Sequence, residues 1–478
     1  MIELGLQRIS RLLARTPLPW RAIHVAGTNG KGSICHYISA MLEVYNKSEY
    51  RKERGQTALK HARFTSPHLI DRWDCITVDQ QTVSSKLFDH MNSKVLRRNE
   101  QESIRATEFE LLTATAFEIF THEQVDVGVV EVGMGGRLDA TNIIGQPGVP
   151  EPLDGIDPVT FRPLPLVTAI SRLGLDHQAF LGNTYAAIAG EKAGIMKPNV
   201  PVVWDTEMDG SAVEVLEIKA IDNRVVGVNG PYLPGAFSLD RRPLSSLLDR
   251  RAPRNKSRPP HHQILNLSVA FRSTWTALQR LERLPARCDN LTTQDTDVLT
   301  VLAENMLLEP AYTEAILPGR LQTLDISALV GDERHVLLDG AHNVQSAKML
   351  GRHLKHSGTH RKWVLAASDT KDTKTLLAPI LRHGDTVFAV EFGPVAGMPW
   401  VHPMAAEKLA EAAKSVANVK VEVYGRDILS ALTAASEKVS PKHMMIVAGS
   451  LYLVGDVLRL LRDRKGLAKN APDTSPQT

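Results

Sequence analysis

A glycine-rich loop near the start of the chain connects a short apolar segment to an amphipathic one. Residues 22–26 predict a buried strand, and the apolar side chains of residues 31–45 recur at helical spacing. The loop between the two reads Gly27-Thr28-Asn29-Gly30-Lys31-Gly32-Ser33. A strand that leads through such a loop into a helix is typical of an α/β fold with a parallel sheet.

The same alternation continues along the chain and restarts after Pro318. Further strands are predicted at 125–132, 166–171, 335–339, 362–367, 386–392, 419–424 and 443–448, with helices between them. The chain has 478 residues, which exceeds the length at which one hydrophobic core keeps growing. We therefore predict two α/β domains, 1–315 and 316–465, followed by a disordered tail at 466–478. Loop-like inserts are predicted at 46–61, 145–165 and 241–262.

Composition argues against several classes of protein. The 56 Lys and Arg against 53 Asp and Glu leave a net charge of +3, so the charge balance demands no nucleic-acid partner. Cys35, Cys75 and Cys288 are too few and too scattered for a disulfide framework or a zinc cluster, and they favour a reducing compartment. No apolar run reaches the roughly 18 residues that a membrane helix needs. We therefore expect a soluble, intracellular protein.

The glycine-rich loop offers what a phosphate group needs. Its glycines let backbone N–H groups approach phosphate oxygens, the helix N-terminus adds partial positive charge, Lys31 adds a full charge, and Ser33 can hold Mg²⁺. The strict Walker spacing is not met, because Val25 stands where the first glycine belongs and Gly32 separates Lys31 from Ser33. An ordinary tight turn is the alternative to a nucleotide site at this stage.

Two predicted strands of the first domain end in side chains that could serve a ligand, because open α/β sheets bind ligands at the carboxyl ends of their strands. Glu131 suits Mg²⁺, and a carboxylate that caps the following turn is the alternative. His177 follows the next strand, where a lone histidine is more often a polar surface or core residue. The glycines of residues 133–136 do not form a dinucleotide fingerprint, because Leu138 stands at the sixth position. A dehydrogenase is therefore disfavoured.

Three further polar residues admit both a structural and a functional interpretation. Lys192 reads by default as a solvated helix lysine paired with its neighbour. Arg320 follows Pro318-Gly319 and could cap a loop. Asp339 ends a predicted strand of the second domain, at the same kind of edge as Glu131.

In combination, these motifs resemble the folylpolyglutamate synthase and dihydrofolate synthase family, within the Mur ligase superfamily. The modified Walker loop is the form that this family uses. The resemblance extends over residues 21 to about 455. The blocks quoted for it, in the family's order, are His24-Val25-Ala26-Gly27-Thr28-Asn29-Gly30-Lys31-Gly32-Ser33, Thr65-Ser66-Pro67-His68-Leu69, Leu175-Asp176-His177, Leu181-Gly182-Asn183-Thr184, Glu191-Lys192-Ala193-Gly194, Pro318-Gly319-Arg320 and Asp339-Gly340-Ala341-His342-Asn343.

The resemblance implies an N-terminal P-loop-type ATPase domain, a smaller Rossmann-like C-terminal domain and an ATP-dependent ligase reaction through an acyl phosphate. It implies that Lys31, His177, Lys192 and Arg320 act in catalysis, and that Lys192 is carbamylated or binds phosphate directly. It implies two Mg²⁺ ions at Ser33, Glu131 and His177, and it allows a K⁺ ion. The implied ATP-binding residues are Thr28, Asn29, Gly30, Lys31, Gly32, Ser33, Asn266, Arg320, Asp339 and His342; the implied pterin-binding residues are Thr65, Ser66, Pro67, His68 and Asp74.

The carboxylic acid that is used is the open point within the family. Polyglutamate-adding relatives carry an Arg-Glu-Arg pattern that suits an anionic glutamyl tail, and the corresponding residues here are Trp73-Asp74-Cys75. Together with segments 3–6 and 397–400, which look like fungal dihydrofolate synthases, this favours dihydropteroate as the substrate. A folylpolyglutamate synthase, a bifunctional enzyme and a nucleotide-binding module without catalysis are the alternatives. We expect a cytoplasmic monomer, with a mitochondrial pool as a further option, whose partners are ATP, L-glutamate and the pterin acid.

Overall fold

The structure, a computed structural model, describes residues 4–146, 162–225, 260–285, 317–331, 333–356, 360–437 and 444–469. The chain forms two compact units. Unit 1 comprises residues 1–68 and 73–315, and unit 2 comprises residues 69–72 and 316–478. The four residues Leu69–Arg72 thus belong to unit 2, although the chain on both sides of them belongs to unit 1.

Unit 1 is built on a seven-stranded sheet in the order β4-β3-β2-β5-β1-β6-β7. Its strands are β1 (Arg21–Ala26), β2 (His61–Phe64), β3 (Ile76–Val78), β4 (Gln81–Thr82), β5 (Val127–Glu131), β6 (Val167–Ile170) and β7 (Val202–Trp204). Strands β2, β5, β1, β6 and β7 are parallel, and β3 and β4 extend the sheet in antiparallel pairing. The central strands are buried along their whole length, which explains why they read as apolar runs.

Helices cover the sheet of unit 1. They are α1 (Gln7–Leu12), α2 (Lys31–Lys47), α3 (Glu49–Glu53), α4 (Ser85–Gln101), α5 (Glu108–His122), α6 (Gln178–Leu181), α7 (Tyr185–Ala193), α8 (Gly210–Asp222) and α9 (His261–Arg280). Helix α5 begins at a capping box, in which the Thr107 hydroxyl accepts from the Glu110 amide and the Glu110 carboxylate accepts from the Thr107 amide. Helix α9 packs along α2, so it lies beside the helix that follows the glycine-rich loop.

Unit 2 contains a six-stranded sheet in the order β12-β11-β10-β13-β9-β8. The strands are β8 (Gln322–Asp325), β9 (His335–Leu338), β10 (Arg361–Leu365), β11 (Thr386–Val390), β12 (Lys420–Gly425) and β13 (Met444–Ala448). All neighbours are parallel except β8 and β9. The helices are α10 (Ser327–Val330), α11 (Val344–His353), α12 (Thr373–Leu377), α13 (Ala406–Val416), α14 (Ile428–Glu437) and α15 (Leu451–Lys469).

The predicted α/β class with two parallel-rich sheets is confirmed, and two local predictions differ from the structure. The insert at 46–61 contains α3 and the start of β2, so it is not simply a loop. Helix α15 continues to Lys469, beyond the predicted start of the tail. The inserts at 145–165 and 241–262 lie largely outside the described residues. Within the described part of the chain, no helix combines the length and apolarity needed to cross a membrane.

Candidate active site

The glycine-rich loop is closely packed at its two bends. Gly27 has φ 142°, and a Cβ at that position would lie 1.8 Å from the Ser171 hydroxyl oxygen. Gly30 has φ 95°, and a Cβ there would lie 2.2 Å from the Asn266 side-chain oxygen. Both positions therefore require glycine for conformation and for space. The contact also places Asn266, on α9, directly against the loop.

Two of the loop amides are already used within the protein. The backbone N–H groups of Thr28 and Asn29 both donate to the Arg172 carbonyl, at 3.1 Å each. The Thr28 side chain is also bound, because its hydroxyl accepts from the Gly174 amide at 3.1 Å. The backbone amides that we expect to bind a phosphate are therefore those of residues 30–33, at the beginning of α2. Helix geometry leaves the first N–H groups of a helix without intrahelical acceptors.

Glu131 connects the loop to a second segment of unit 1. It lies at the end of β5 and is 4% exposed. Its Oε2 accepts the Ser66 backbone N–H at 3.1 Å, and its Oε1 lies 3.8 Å from the Lys31 amine. The phosphate loop and the segment Thr65–Leu69, predicted to bind the pterin, thus meet at one carboxylate.

Ser33 and Glu131 form a donor set that fits Mg²⁺. Both side chains are buried, and a hydroxyl and a carboxylate provide the oxygen ligands that this ion prefers. A Cβ on Gly32 would lie 3.4 Å from the nearer Glu131 oxygen, so the carboxylate approaches the first turn of α2 closely. Among the described residues, no cluster of three or more His, Cys, Asp or Glu could hold a metal by itself. The ion would therefore need ligands from ATP or water.

Lys192 is not the solvated lysine that its sequence context suggests. It is 3% exposed, and its amine donates to the Gly27 carbonyl at 2.8 Å. Burial, assisted by the charge of Lys31, lowers the pKa of Lys192 from 10.5 to about 7. A large fraction of this amine is therefore uncharged near neutral pH.

His177, the other predicted metal residue, is exposed in the turn that starts α6. Its φ is 53°, in the left-handed region, and its backbone N–H donates to the Asp176 carboxylate at 2.9 Å. The structure thus places His177 at the carboxyl side of β6, as predicted from the chain order, on an exposed turn.

The segment predicted to bind the pterin, Thr65–Leu69, follows directly after β2. A cis peptide bond joins Ser66 to Pro67, and the Thr65 backbone N–H donates to the Cys75 carbonyl at 3.0 Å. His68 is 4% exposed, and Asp74 is half-buried.

The interpretation of residues 73–75 as a substrate-facing set is wrong for Cys75. Its side chain is 2% exposed and lies in the hydrophobic core that includes Ile76 and Phe88. Trp73 also packs against that core, with its ring centroid 6.3 Å from the centroid of Phe88. Asp74, between them, is polar and half-buried.

Sequence reasoning missed Asp139, which shapes the turn after β5. One oxygen of its buried carboxylate accepts the Met134 backbone N–H at 2.9 Å, and the other accepts the Thr141 hydroxyl at 2.6 Å. Burial raises the pKa of Asp139 in spite of these donors. The Thr141 hydroxyl in turn lies 2.9 Å from Nε2 of His24, whose pKa burial lowers to about 3. The Asp139-Ala140-Thr141 spacing, in which the side chain binds the backbone two residues on, was the available signal.

The predicted nucleotide residues of unit 2 also lie together. Both oxygens of Asp339 accept backbone N–H groups, from Leu321 and Ala341, at 2.9 Å each. Burial raises the pKa of Asp339, while the charge of Arg320 opposes that shift. The Nδ1 of His342 lies 2.9 Å from the Gly340 carbonyl oxygen. The loop with Arg320 and the end of β9 therefore form one structure, held by Asp339.

Comparison with known proteins decides the family. A family model described as "Dihydrofolate synthetase, C-terminal domain" matches residues 322–460. A "Probable dihydrofolate synthetase" of Schizosaccharomyces pombe is 35% identical over 476 residues, which cover 96% of this chain and 99% of that protein. The chain belongs to the dihydrofolate synthase and folylpolyglutamate synthase family. A "Dihydrofolate synthetase" of Saccharomyces cerevisiae is 32% identical over 483 residues, covering 96% of this family member and 98% of the yeast protein.

Solved structures share the fold of this family member. The structure of E. coli FolC in complex with DHPP and ADP has a TM-score of 0.68 at 22% identity, covering 97% of this chain and 94% of the other. A bifunctional folylpolyglutamate synthase/dihydrofolate synthase with Mn, AMPPNP and L-glutamate bound has a TM-score of 0.67 at 23% identity, covering 97% and 95%. At these identities the likeness concerns the fold.

Proposed function

We propose that this protein is a dihydrofolate synthase. It ligates L-glutamate to 7,8-dihydropteroate and converts ATP to ADP and phosphate. The substrate carboxylate first attacks the γ-phosphorus of ATP, and ADP leaves. The amino group of glutamate then attacks the acyl carbon and loses a proton, and phosphate leaves with its bonding electron pair.

One observation in the site carries the proposal: Glu131 lies beside both Lys31 and Ser66. Phosphorylation of a carboxylic acid requires the ATP phosphates and the acid to meet, and here the segment predicted for each binds the same carboxylate. The names of the two yeast relatives, which align over nearly their full length, support the same reaction.

The protein's own groups act mainly by positioning and by charge. The Lys31 amine stabilises the negative charge that develops on phosphoryl oxygens, as the amides at the start of α2 also do. We propose that Arg320, Asp339 and His342 hold the nucleotide, with Asp339 and His342 on the adenosine side. Mg²⁺, held by Ser33 and Glu131 with a second ion at His177, supplies further positive charge when bound.

We further propose that Lys192 reacts with CO₂. The uncharged amine adds to the carbon of CO₂ and releases a proton, which leaves a carbamate, and the lowered pKa near 7 makes that amine available. The resulting anion could support a metal ion where an ammonium could not. With ¹³C-labelled bicarbonate, we expect a carbamate signal in the ¹³C spectrum of the enzyme that disappears in Lys192→Gln.

Lys197 provides a matched control for the carbamate. It is also buried, with its pKa lowered by burial to about 8, but its amine donates to Asn142 rather than to the phosphate loop. The signal should persist in Lys197→Gln. No carbamate signal in the wild type, or one that is lost only in Lys197→Gln, would contradict the assignment.

Resemblance to the family also supports a cytoplasmic monomer and allows a mitochondrial pool and a K⁺ ion.

Folylpolyglutamate synthesis is the alternative within the family. The fold does not separate the two activities, because one of the matching structures is bifunctional. The two yeast relatives that align over nearly the whole chain are named dihydrofolate synthetase, and no arginine occupies residues 73–75. These observations favour dihydropteroate as the acceptor.

An oxygen-transfer experiment tests the reaction. Dihydropteroate labelled with ¹⁸O in its carboxylate is incubated with ATP, Mg²⁺ and L-glutamate, and the released phosphate is analysed by mass spectrometry. An acyl-phosphate route transfers one ¹⁸O to phosphate, and omission of dihydropteroate or glutamate prevents formation of dihydrofolate. Product formation with unlabelled phosphate would contradict the route, and no turnover of dihydropteroate would contradict the proposed function.

A further inference from the structure

The short segment that follows the predicted pterin loop, Leu69–Arg72, contacts helix α15 of unit 2. The chain passes from unit 1 to unit 2 after His68 and returns before Trp73. Within unit 2, a Cβ on Gly455 of α15 would lie 2.0 Å from the Leu69 carbonyl oxygen, so the helix backbone and the segment touch directly. The Leu69 side chain packs against the core cluster that contains Leu453 and Val454.

Two arginines on the same helix face hold the next two residues. Arg459 donates to the Ile70 carbonyl at 2.8 Å, and Arg462 pairs with the Asp71 carboxylate. Arg459 is itself oriented by Asp456, one turn earlier, at 2.5 Å. One face of α15 thus contacts three consecutive residues. Leu69 lies against the helix backbone, Ile70 accepts a hydrogen bond, and Asp71 forms an ion pair.

We infer that Gly455, Arg459 and Arg462 are positioning residues for the pterin-binding loop. The inference rests on the proposed function, in which residues 65–68 contact the pterin acid. Ser66 is held at one end by Glu131, and Leu69 is held at the other by α15. The chain from Ser66 to Leu69 spans at most about 11 Å when extended. We call the contacts of α15 with residues 69–71 the anchor. Because the span is so short, loss of the anchor should change the conformation of the loop.

This assignment gives unit 2 a role in acceptor recognition that the family motifs do not contain. The motif residues of unit 2, namely Arg320, Asp339 and His342, are expected at the nucleotide. The anchor instead acts on a loop expected at the other substrate. Disturbing the anchor should therefore raise the KM for dihydropteroate and leave the KM for ATP nearly unchanged.

The experiment compares Gly455→Ala with Gly466→Ala on the same helix. A Cβ on Gly466 would meet nothing within 4 Å, so that variant controls for the helix-favouring effect of alanine. We expect Gly455→Ala to raise the KM for dihydropteroate by about tenfold, because small misplacements of substrate-positioning groups have effects of this order or larger. Hydrogen exchange of residues 65–72 should accelerate in Gly455→Ala and remain as in the wild type in Gly466→Ala.

A charge exchange tests the ion pair separately from folding. Asp71→Arg and Arg462→Asp should each raise the KM for dihydropteroate a few-fold, and the double variant should restore it, while Arg464→Ala on the exposed face of α15 should have no effect. Unchanged exchange and unchanged KM in folded Gly455→Ala would overturn the inference, and so would equal rises in both KM values. An inactive wild type would instead contradict the proposed function, and the hydrogen-exchange comparison would still test the anchor.

Discussion

Two lysines approach the same glycine-rich loop from different environments. Lys31 keeps 16% of its side chain exposed and lies 3.8 Å from Glu131, whereas Lys192 is buried beneath the loop on the Gly27 carbonyl. Lys31 is therefore suited to meet an incoming phosphate, and Lys192 is suited to a reaction of its uncharged form. The two lysines should respond differently to substitution and to pH.

Replacement of Lys31 by alanine should abolish catalysis without unfolding the protein. In the proposed site the amine supplies charge at the phosphates rather than packing, and loss of one such contact typically lowers a rate by about 10²-fold or more. Steady-state phosphate release and circular dichroism measure the two properties. Lys47→Ala, at the exposed end of the same helix, is the matched control. Near-normal turnover in folded Lys31→Ala would exclude the phosphate-loop assignment.

The buried Lys192 should make stability depend on pH. Its pKa is about 7 in the folded protein against an ordinary 10.5, so between these pH values the unfolded chain binds more protons and the free energy of unfolding rises with pH. Relative to Lys192→Met, the wild type should gain up to about 1.4 kcal/mol per pH unit from pH 7 upward. Urea unfolding in CO₂-free buffer at two pH values measures this difference. A difference independent of pH would show that Lys192 is not buried as an amine.

Asp339→Ala should mainly raise the KM for ATP, because the nucleotide contact that we propose for Asp339 would be present in both ground and transition states. The backbone N–H groups of Leu321 and Ala341 also lose their acceptor, which should destabilise the protein by about 1–3 kcal/mol. Initial rates at varied ATP and thermal melting check both effects. The exposed Asp325→Ala, in the same unit, should leave the KM for ATP unchanged. A selective rise in the KM for dihydropteroate would place Asp339 at the other substrate.

At the scale of elements, the hairpin that follows the predicted pterin loop decides which side chains can face the substrate. Cys75 immediately precedes β3, and its side chain points into the core of unit 1. Conversion of Trp73 and Cys75 to arginine, an obvious route to polyglutamate specificity from the sequence, would place a charge in that core and unfold the protein rather than change its acceptor. Asp74 is the residue through which acceptor choice should be altered.

Asp74→Arg should shift preference toward an acceptor that already carries glutamate. The substitution removes a charge that repels the additional carboxylates and supplies one that attracts them. We expect the ratio of kcat/KM for dihydrofolate to that for dihydropteroate to rise about tenfold, a change of about 1.4 kcal/mol. Asp89→Arg, on the exposed face of α4, controls for net charge. An unchanged ratio would move the source of specificity to another loop.

Sequence patterns predicted the elements that carry long or fully apolar runs. Strands β1, β5 and β6 were recognisable as continuous apolar runs, because both of their faces are buried. Helix α2 was recognisable from the helical spacing of its apolar residues. Strands β3 and β4, of three and two residues, are too short to carry a period, and the antiparallel edge was missed. The burial of the Cys75 side chain was also missed. A shift of one residue along a strand moves a side chain to the other face, and β3 is too short for the sequence to show which face each residue occupies. The grouping of Leu69–Arg72 with unit 2 depends on contacts distant in sequence, which local patterns do not encode.

At the scale of the whole molecule, the residues expected at ATP are divided between the two units. Of these expected residues, the phosphate loop and Asn266 belong to unit 1, and Arg320, Asp339 and His342 belong to unit 2. The residues expected at the pterin acid belong to unit 1, and the loop that contains them continues into Leu69–Arg72 of unit 2. Catalysis should therefore require the intact chain. Neither unit expressed alone should release phosphate from ATP in the presence of dihydropteroate and glutamate.

The central claim is that the acceptor is dihydropteroate and that one glutamate is added. A glutamyl tail brings two carboxylates where dihydropteroate has one, and Asp74, which we expect to face the acceptor, would repel the additional charge. A charge left without a partner in a desolvated site costs a few kcal/mol, or about a hundredfold in discrimination. The most direct measurement is mass spectrometry of the products after prolonged incubation of the purified enzyme with ATP, excess L-glutamate and either dihydropteroate or dihydrofolate. Dihydrofolate as the sole product from dihydropteroate, with almost no turnover of added dihydrofolate, is the predicted result, and efficient formation of products with two and three glutamates would contradict it.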